Sequence, residues 1–98
     1  MYEVSALPGG GVSLSGKLAY SEILEVRKAL EKLIEAHDAP IILVSLEDLE
    51  SYNSQILSLC LCLIRKAKSL NVKLEFKKTP ERLFDMARVG GLEFIFSR

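Results

Sequence analysis

The sequence predicts an α/β fold, a mixed β-sheet built from an N-terminal hairpin plus parallel strands, with helices packed on it. Two short alternating runs around a glycine cluster (Tyr2-Glu3-Val4-Ser5-Ala6 and Val12-Ser13-Leu14-Ser15-Gly16) supply the hairpin. A helical pattern, an apolar strand, a second helical pattern and a further strand follow in that order, which implies parallel crossovers. Apolar residues at helical spacing, with charges on the opposite side, supply the covering layer.

At 98 residues the chain is one domain, spanning 1–98. Apolar residues make up 49% and charged residues 27%, as in compact folded domains, so disorder is excluded. Lys plus Arg and Asp plus Glu both number 13, so there is no overall electrostatic pull towards nucleic acid or an anionic membrane. Shape and local contacts must choose any partner. The start, Met1-Tyr2-Glu3-Val4, lacks the basic and apolar regions of a secretion signal. The longest apolar run, residues 56–64, is far shorter than the roughly 20 residues that span a bilayer. These features lead us to expect a cytoplasmic protein. The two cysteines, Cys60 and Cys62, lie two apart on a predicted helix and point to different faces. They read as small hydrophobic residues rather than a disulfide.

Taken in order, Tyr2, Val4 and Ala6 form the inward side of a half-buried strand, and Pro8-Gly9-Gly10-Gly11 turns the chain back. Ser21 is the expected N-cap of the first helix, with Glu22 and Glu25 complementing its dipole. Ile23, Val26, Leu30, Leu33 and Ile34 recur on one face of that helix, which His37-Asp38-Ala39-Pro40 ends, because the residue before proline avoids helical geometry. Residues 41–46 are nearly all apolar, the pattern of a strand buried on both faces. Residues 47–50 form an acidic loop, and Ser51-Tyr52-Asn53-Ser54 is a polar hinge into the second helix.

That second helix carries Ile56, Leu57, Leu59, Cys60, Leu61, Cys62, Leu63, Ile64 and Ala67, apolar almost all round its first half. Such a helix is either enclosed by its own domain or keeps one face for another protein. Arg65, Lys66 and Lys68 gather at its end, and Leu70-Asn71 forms the exit turn. Val72, Leu74 and Phe76 alternate with Lys73, Glu75 and Lys77 as another strand. Thr79-Pro80-Glu81 starts a short helix, with Thr79 as the expected cap and Pro80 at the first helical position. Leu83, Phe84, Met86 and Ala87 are its apolar positions, and Gly90-Gly91 stops it. Residues 92–96 read equally as a last strand or a helical turn.

This order of elements resembles the STAS family, named for sulfate transporters and anti-sigma-factor antagonists. Residues 12–18 resemble the family's strand ending in glycine before the first helix. Ile42-Leu43-Val44-Ser45-Leu46, then a short loop and Asn53-Ser54, resembles its buried strand leading to an aspartate-serine or aspartate-threonine pair. Residues 87–92 (Ala87-Arg88-Val89-Gly90-Gly91-Leu92) resemble the segment after its last main helix. Within the family, the run from Leu61 to Lys68 and the compact length look most like the STAS subunit of the Mla-type phospholipid-transport ABC complex of Gram-negative bacteria.

The resemblance implies a non-catalytic accessory subunit that binds the ATPase of an ABC transporter. It would act in phospholipid trafficking and outer-membrane lipid asymmetry, and reach the inner membrane only through that partner. Its contact residues would be Tyr20, Ser21, Tyr52, Asn53, Ser54, Gln55, Leu57 and Ser58. The alternative within the family is an anti-anti-sigma-type signalling protein regulated by phosphorylation of Ser54. Asn53 in place of the family's aspartate, and bulk at Gln55 and Ile56, weigh against that phosphorylation.

Read without the family, the same hinge joins two core segments and faces solvent at a helix N-terminus, a suitable place for recognition. Glu47, Asp48 and Glu50 read as a solvated acidic loop, because no further ligands fall at regular spacing for a cation. Gly9, Gly10 and Gly11 lack the lysine or glycine pattern of a phosphate loop. His37 has no second histidine or cysteine to share a metal. No nucleophile stands with a base, so the expectation is no enzyme, no cofactor and no metal.

Overall fold

The computed structural model describes residues 1–8 and 10–96; Gly9, in the predicted glycine turn, lies outside them. Strand β1 (Tyr2–Ala6) pairs antiparallel with β2 (Gly11–Gly16), Val4 opposite Leu14. Helix α1 (Ile23–Ala36) then leads to β3 (Ile41–Ser45), and α2 (Ser54–Ser69) leads to β4 (Lys73–Lys77). Strand β3 runs parallel to both β2 and β4, which gives a four-stranded mixed sheet in the order β1-β2-β3-β4. Helix α3 (Glu81–Val89) and a closing 3-10 turn, Glu93–Phe96, complete the chain.

One face of the sheet carries the core. Val12, Leu14, Ile42 and Val44 are buried there against Val26, Leu30 and Ile34 of α1 and Ile56, Leu59, Cys60 and Leu63 of α2. Tyr2, Val4, Leu74 and Phe76 pack at its margins. Each large aliphatic side chain buried in this way stabilises the fold by roughly 1.5–3 kcal/mol before entropy is counted. The tail resolves as the helical turn, and Phe96 sits edge-on to Phe76 with ring centroids 5.3 Å apart.

The opposite face bears Glu3, Ser5, Ser13, Ser15, Lys73, Glu75 and Lys77, by the alternation and register of the strands. The expected burial of β3 on both faces is therefore corrected: Ile42 and Val44 are buried, but Ile41 is 45% exposed and Leu43 only half-buried. Leu43 lies between Gly11 and Glu75 in the ladder, sheltered by neighbouring strands rather than by a second layer.

Two predicted caps are also corrected. Ser21 does not cap α1; it lies inside a 3-10 turn, Tyr20–Glu22, and the Glu22 carboxylate instead reaches back to accept the Ala19 N–H at 2.7 Å. Thr79 does not cap α3, because Pro80 itself occupies the cap position with extended ψ, and its carbonyl accepts the Leu83 and Phe84 N–H groups. The predicted helix ends are present, α1 stopping at Ala36 before His37. Asn71 (φ 58°) closes α2 and Gly91 (φ 75°) closes α3, each in the left-handed conformation. Val72 N–H donates to Ala67 O and Leu92 N–H to Ala87 O, which satisfies carbonyls that the helix cannot.

Candidate functional site

Because β2, β3 and β4 are parallel, the loops after them emerge at one edge of the molecule, as in other open α/β sheets where ligands gather at the carboxyl ends of strands. Three loops meet there. Gly16 donates its N–H to Asp48 O (2.9 Å) and accepts from Glu50 N–H (2.8 Å), so the acidic loop extends the sheet for one residue pair. Leu18 N–H donates to Ser51 Oγ at 2.9 Å, which fastens the approach to α1 onto the hinge. Lys78 Nζ lies 3.0 Å from the Glu47 carboxylate, joining the β4 loop to the same corner. Glu47 is therefore half of an exposed ion pair, and Leu46 and Leu49 on either side of the loop are buried anchors.

The hinge is braced from within. Tyr52 donates its hydroxyl to Leu49 O at 2.7 Å, and the Arg82 guanidinium of α3 lies over its ring, 6.0 Å from the centroid. Asn53 caps α2: its Oδ1 accepts the Ile56 N–H at 3.1 Å, the contact that its residue type predicts. Asn53 and Ser54 are both exposed, so the corner is rigidly held and open to solvent. Directly beneath, Ile56 and Leu57 are buried, and the dipole of a helix 16 residues long ends at Ser54.

The expected contact residues divide. Tyr20, Gln55 and Ser58 come together along a groove of about 320 Å³ between the start of α1 and the first turns of α2. Ser21 is exposed beside it, and Tyr52, Asn53 and Ser54 form the adjoining corner. Leu57 is buried at 7% exposure and offers no surface to a partner, because helical spacing puts it on the side of α2 away from Gln55, Ser58 and Cys62. Leu24 was not among the expected residues, yet it is 57% exposed and lines the groove with Ile23 and Cys62, while Tyr20 is 79% exposed. The signal for Leu24 was in the sequence: it is an apolar residue one step off the Ile23, Val26, Leu30 stripe, on the face otherwise filled with charges.

Burial pushes the Cys60 thiol well above its ordinary range, so it stays neutral and unreactive, whereas Cys62 is half-exposed on the groove side. The corner is polar and the groove apolar.

This architecture, a hairpin-led mixed sheet with its helices on one face and a capped polar corner at the start of α2, is the STAS fold. Among solved structures the chain is similar to the anti-sigma factor antagonist SpoIIAA in its unphosphorylated form, with a TM-score of 0.73 and 14% identity over 98% of this chain and 85% of that one. No protein-family model matches the chain, and no curated protein matches it in sequence.

Proposed function

We propose that the chain is a non-catalytic binding module that docks a partner protein through the corner at Tyr52, Asn53 and Ser54 and the adjoining groove of Tyr20, Leu24, Gln55 and Ser58. The observation that carries this reading is the exposed, capped N-terminus of α2 standing beside an apolar groove with two large exposed side chains, Tyr20 and Leu24. Solvent-facing Leu and Tyr side chains next to a rigid polar corner are the composition of a contact surface. In particular, the resemblance of residues 61–68 and of the hinge to the Mla-type STAS subunit makes the partner the cytoplasmic ATPase of an ABC transporter for phospholipid. The chain would then sit at the inner membrane only through that ATPase; among the described residues no helix is long and apolar enough to cross a membrane.

Ser54→Arg places a long cation at the corner without touching the core. It is expected to abolish copurification with the ATPase while circular dichroism and melting temperature remain those of the parent. Unchanged copurification refutes the surface.

The likeness to SpoIIAA favours a second reading, an anti-sigma factor antagonist switched at Ser54. Phosphate there would add nearly two negative charges at an exposed helix N-terminus, where the dipole stabilises them and a partner surface would not. Mass spectrometry after incubation with anti-sigma kinases distinguishes the two: a phosphate on Ser54 supports the antagonist, an unmodified chain the ATPase subunit.

A further inference from the structure

Strand β4 is an edge of the sheet, and no described residue pairs with its outer side. Lys73 donates its N–H to Pro40 O at 2.8 Å, and Lys77 O accepts the Leu46 N–H at 3.1 Å. In a parallel ladder alternate residues turn both backbone groups to the same neighbour. Lys73, Glu75 and Lys77 therefore bond β3, while the N–H and C=O of Leu74 and Phe76 point outward. Beside them runs a groove of about 420 Å³, walled by Ile64, Phe94 and Ile95. Phe94 stands at its rim, 60% exposed. Free peptide groups with an apolar groove alongside can accept an added strand whose apolar side chains fall on one face.

The charges on the open face decide which strand. Lys73 and Lys77 are 71% and 54% exposed, and each ammonium lies 3.4 Å from the carboxylate of Glu75 between them. We infer that β4 pairs antiparallel with β4 of a second copy of this chain, in the register that sets Leu74 opposite its own symmetry mate. A two-fold pairing must centre on a residue; centring on Lys73 or Lys77 opposes lysine to lysine, which leaves three centres within β4. Centred on Glu75, it opposes Glu75 to Glu75 and Lys73 to Lys77, like charges that destabilise a sheet. Centred on Phe76, it opposes Leu74 to Lys78, whose φ of 55° takes its backbone out of the ladder.

Centred on Leu74, the pairing sets Lys73 opposite Glu75 at both ends and Val72 opposite Phe76 on the groove side. Leu74 then exchanges both its backbone groups with its mate. The Phe76 N–H meets the Val72 carbonyl of the other copy, since the Val72 N–H is already committed to Ala67 O at 2.9 Å. The same patch serves both copies, as an isologous contact requires. The competing reading is that exposed lysines on an edge strand exist to repel other strands, and it predicts a monomer.

Sedimentation of the whole chain at low salt, from micromolar to millimolar concentration, tests this. The mass is expected to rise from that of the 10.9 kDa chain towards its double. Lys73→Glu and Glu75→Lys each place like charges opposite one another twice per dimer and are expected to weaken association by about tenfold, and the double exchange restores it. Lys77→Glu, which faces Asn71 in this register, changes little. Circular dichroism confirms that the exposed variants fold. A monomer at every concentration overturns the inference, as does a dimer that ignores Lys73 and Glu75 or responds chiefly to Lys77. Ser54→Arg, at the other contact surface, is expected to leave the dimer intact.

Discussion

Asn53 shows how one residue serves both the fold and the surface. Its side chain satisfies the Ile56 N–H while its backbone sets the angle at which Ser54 meets solvent. Asn53→Ala is expected to cost about 1 kcal/mol in chemical denaturation. Ser54→Ala, at an exposed position, should stay within about 0.5 kcal/mol of the parent, which separates capping from contact. Gly16 is fixed by a different need: its φ is +85°, and any side chain there would run into the Met1 carbonyl. The cysteines divide by burial in the same way. A thiol reagent is expected to modify Cys62 in the folded chain and to reach Cys60 only on unfolding, because the Cys60 thiolate would have to form inside the core.

Among the elements, α2 sets the rest. Its apolar positions are enclosed by the sheet, α1 and the closing turn, with Leu61, Cys62 and Ile64 left half-buried. Of the two outcomes that its composition allowed, enclosure by its own domain accounts for most of the helix. What it leaves for other molecules is its N-terminus and the groove side rather than a whole greasy face. The ends of the helices are set locally. Gly91 stops α3 in the left-handed region, and a Cβ there would meet nothing within 4 Å. Gly91→Ala thus isolates the backbone cost, expected at about 1 to 2 kcal/mol by thermal or denaturant unfolding.

For the whole molecule, the core and the proposed contact surface are separable. Tyr20 and Leu24 project from the start of α1 while Val26, Leu30 and Ile34 hold that helix down. The double variant Tyr20→Ala, Leu24→Glu is expected to keep the parent melting temperature, or to exceed it slightly, and to lose partner binding in a pull-down. The loops that build the corner are far apart in sequence, yet Leu18 to Ser51 and Glu47 to Lys78 are direct contacts. The corner therefore exists only in the assembled fold.

Much of this was legible in the chain. The period-2 runs marked β1, β2 and β4, the helical stripes marked α1 and α2, and the polar hinge ending in Asn53-Ser54 marked the start of α2, because each of these is a local preference of backbone or side chain. Other features depend on what lies across space. Whether Leu43 is covered depends on there being one helical layer or two. That Ser21 is drawn out of the cap position, and that the Glu22 carboxylate accepts the Ala19 N–H, depends on a 3-10 turn over Tyr20–Glu22. The turning of Leu57 inward and of Leu24 outward follows from how the helices rotate against the sheet. The sequence by itself determined the elements, their order and the polar hinge, since periodicity and capping are written in neighbouring residues. Only the tertiary structure decided which sides of those elements remain in water, because burial is a property of surfaces that meet from distant parts of the chain.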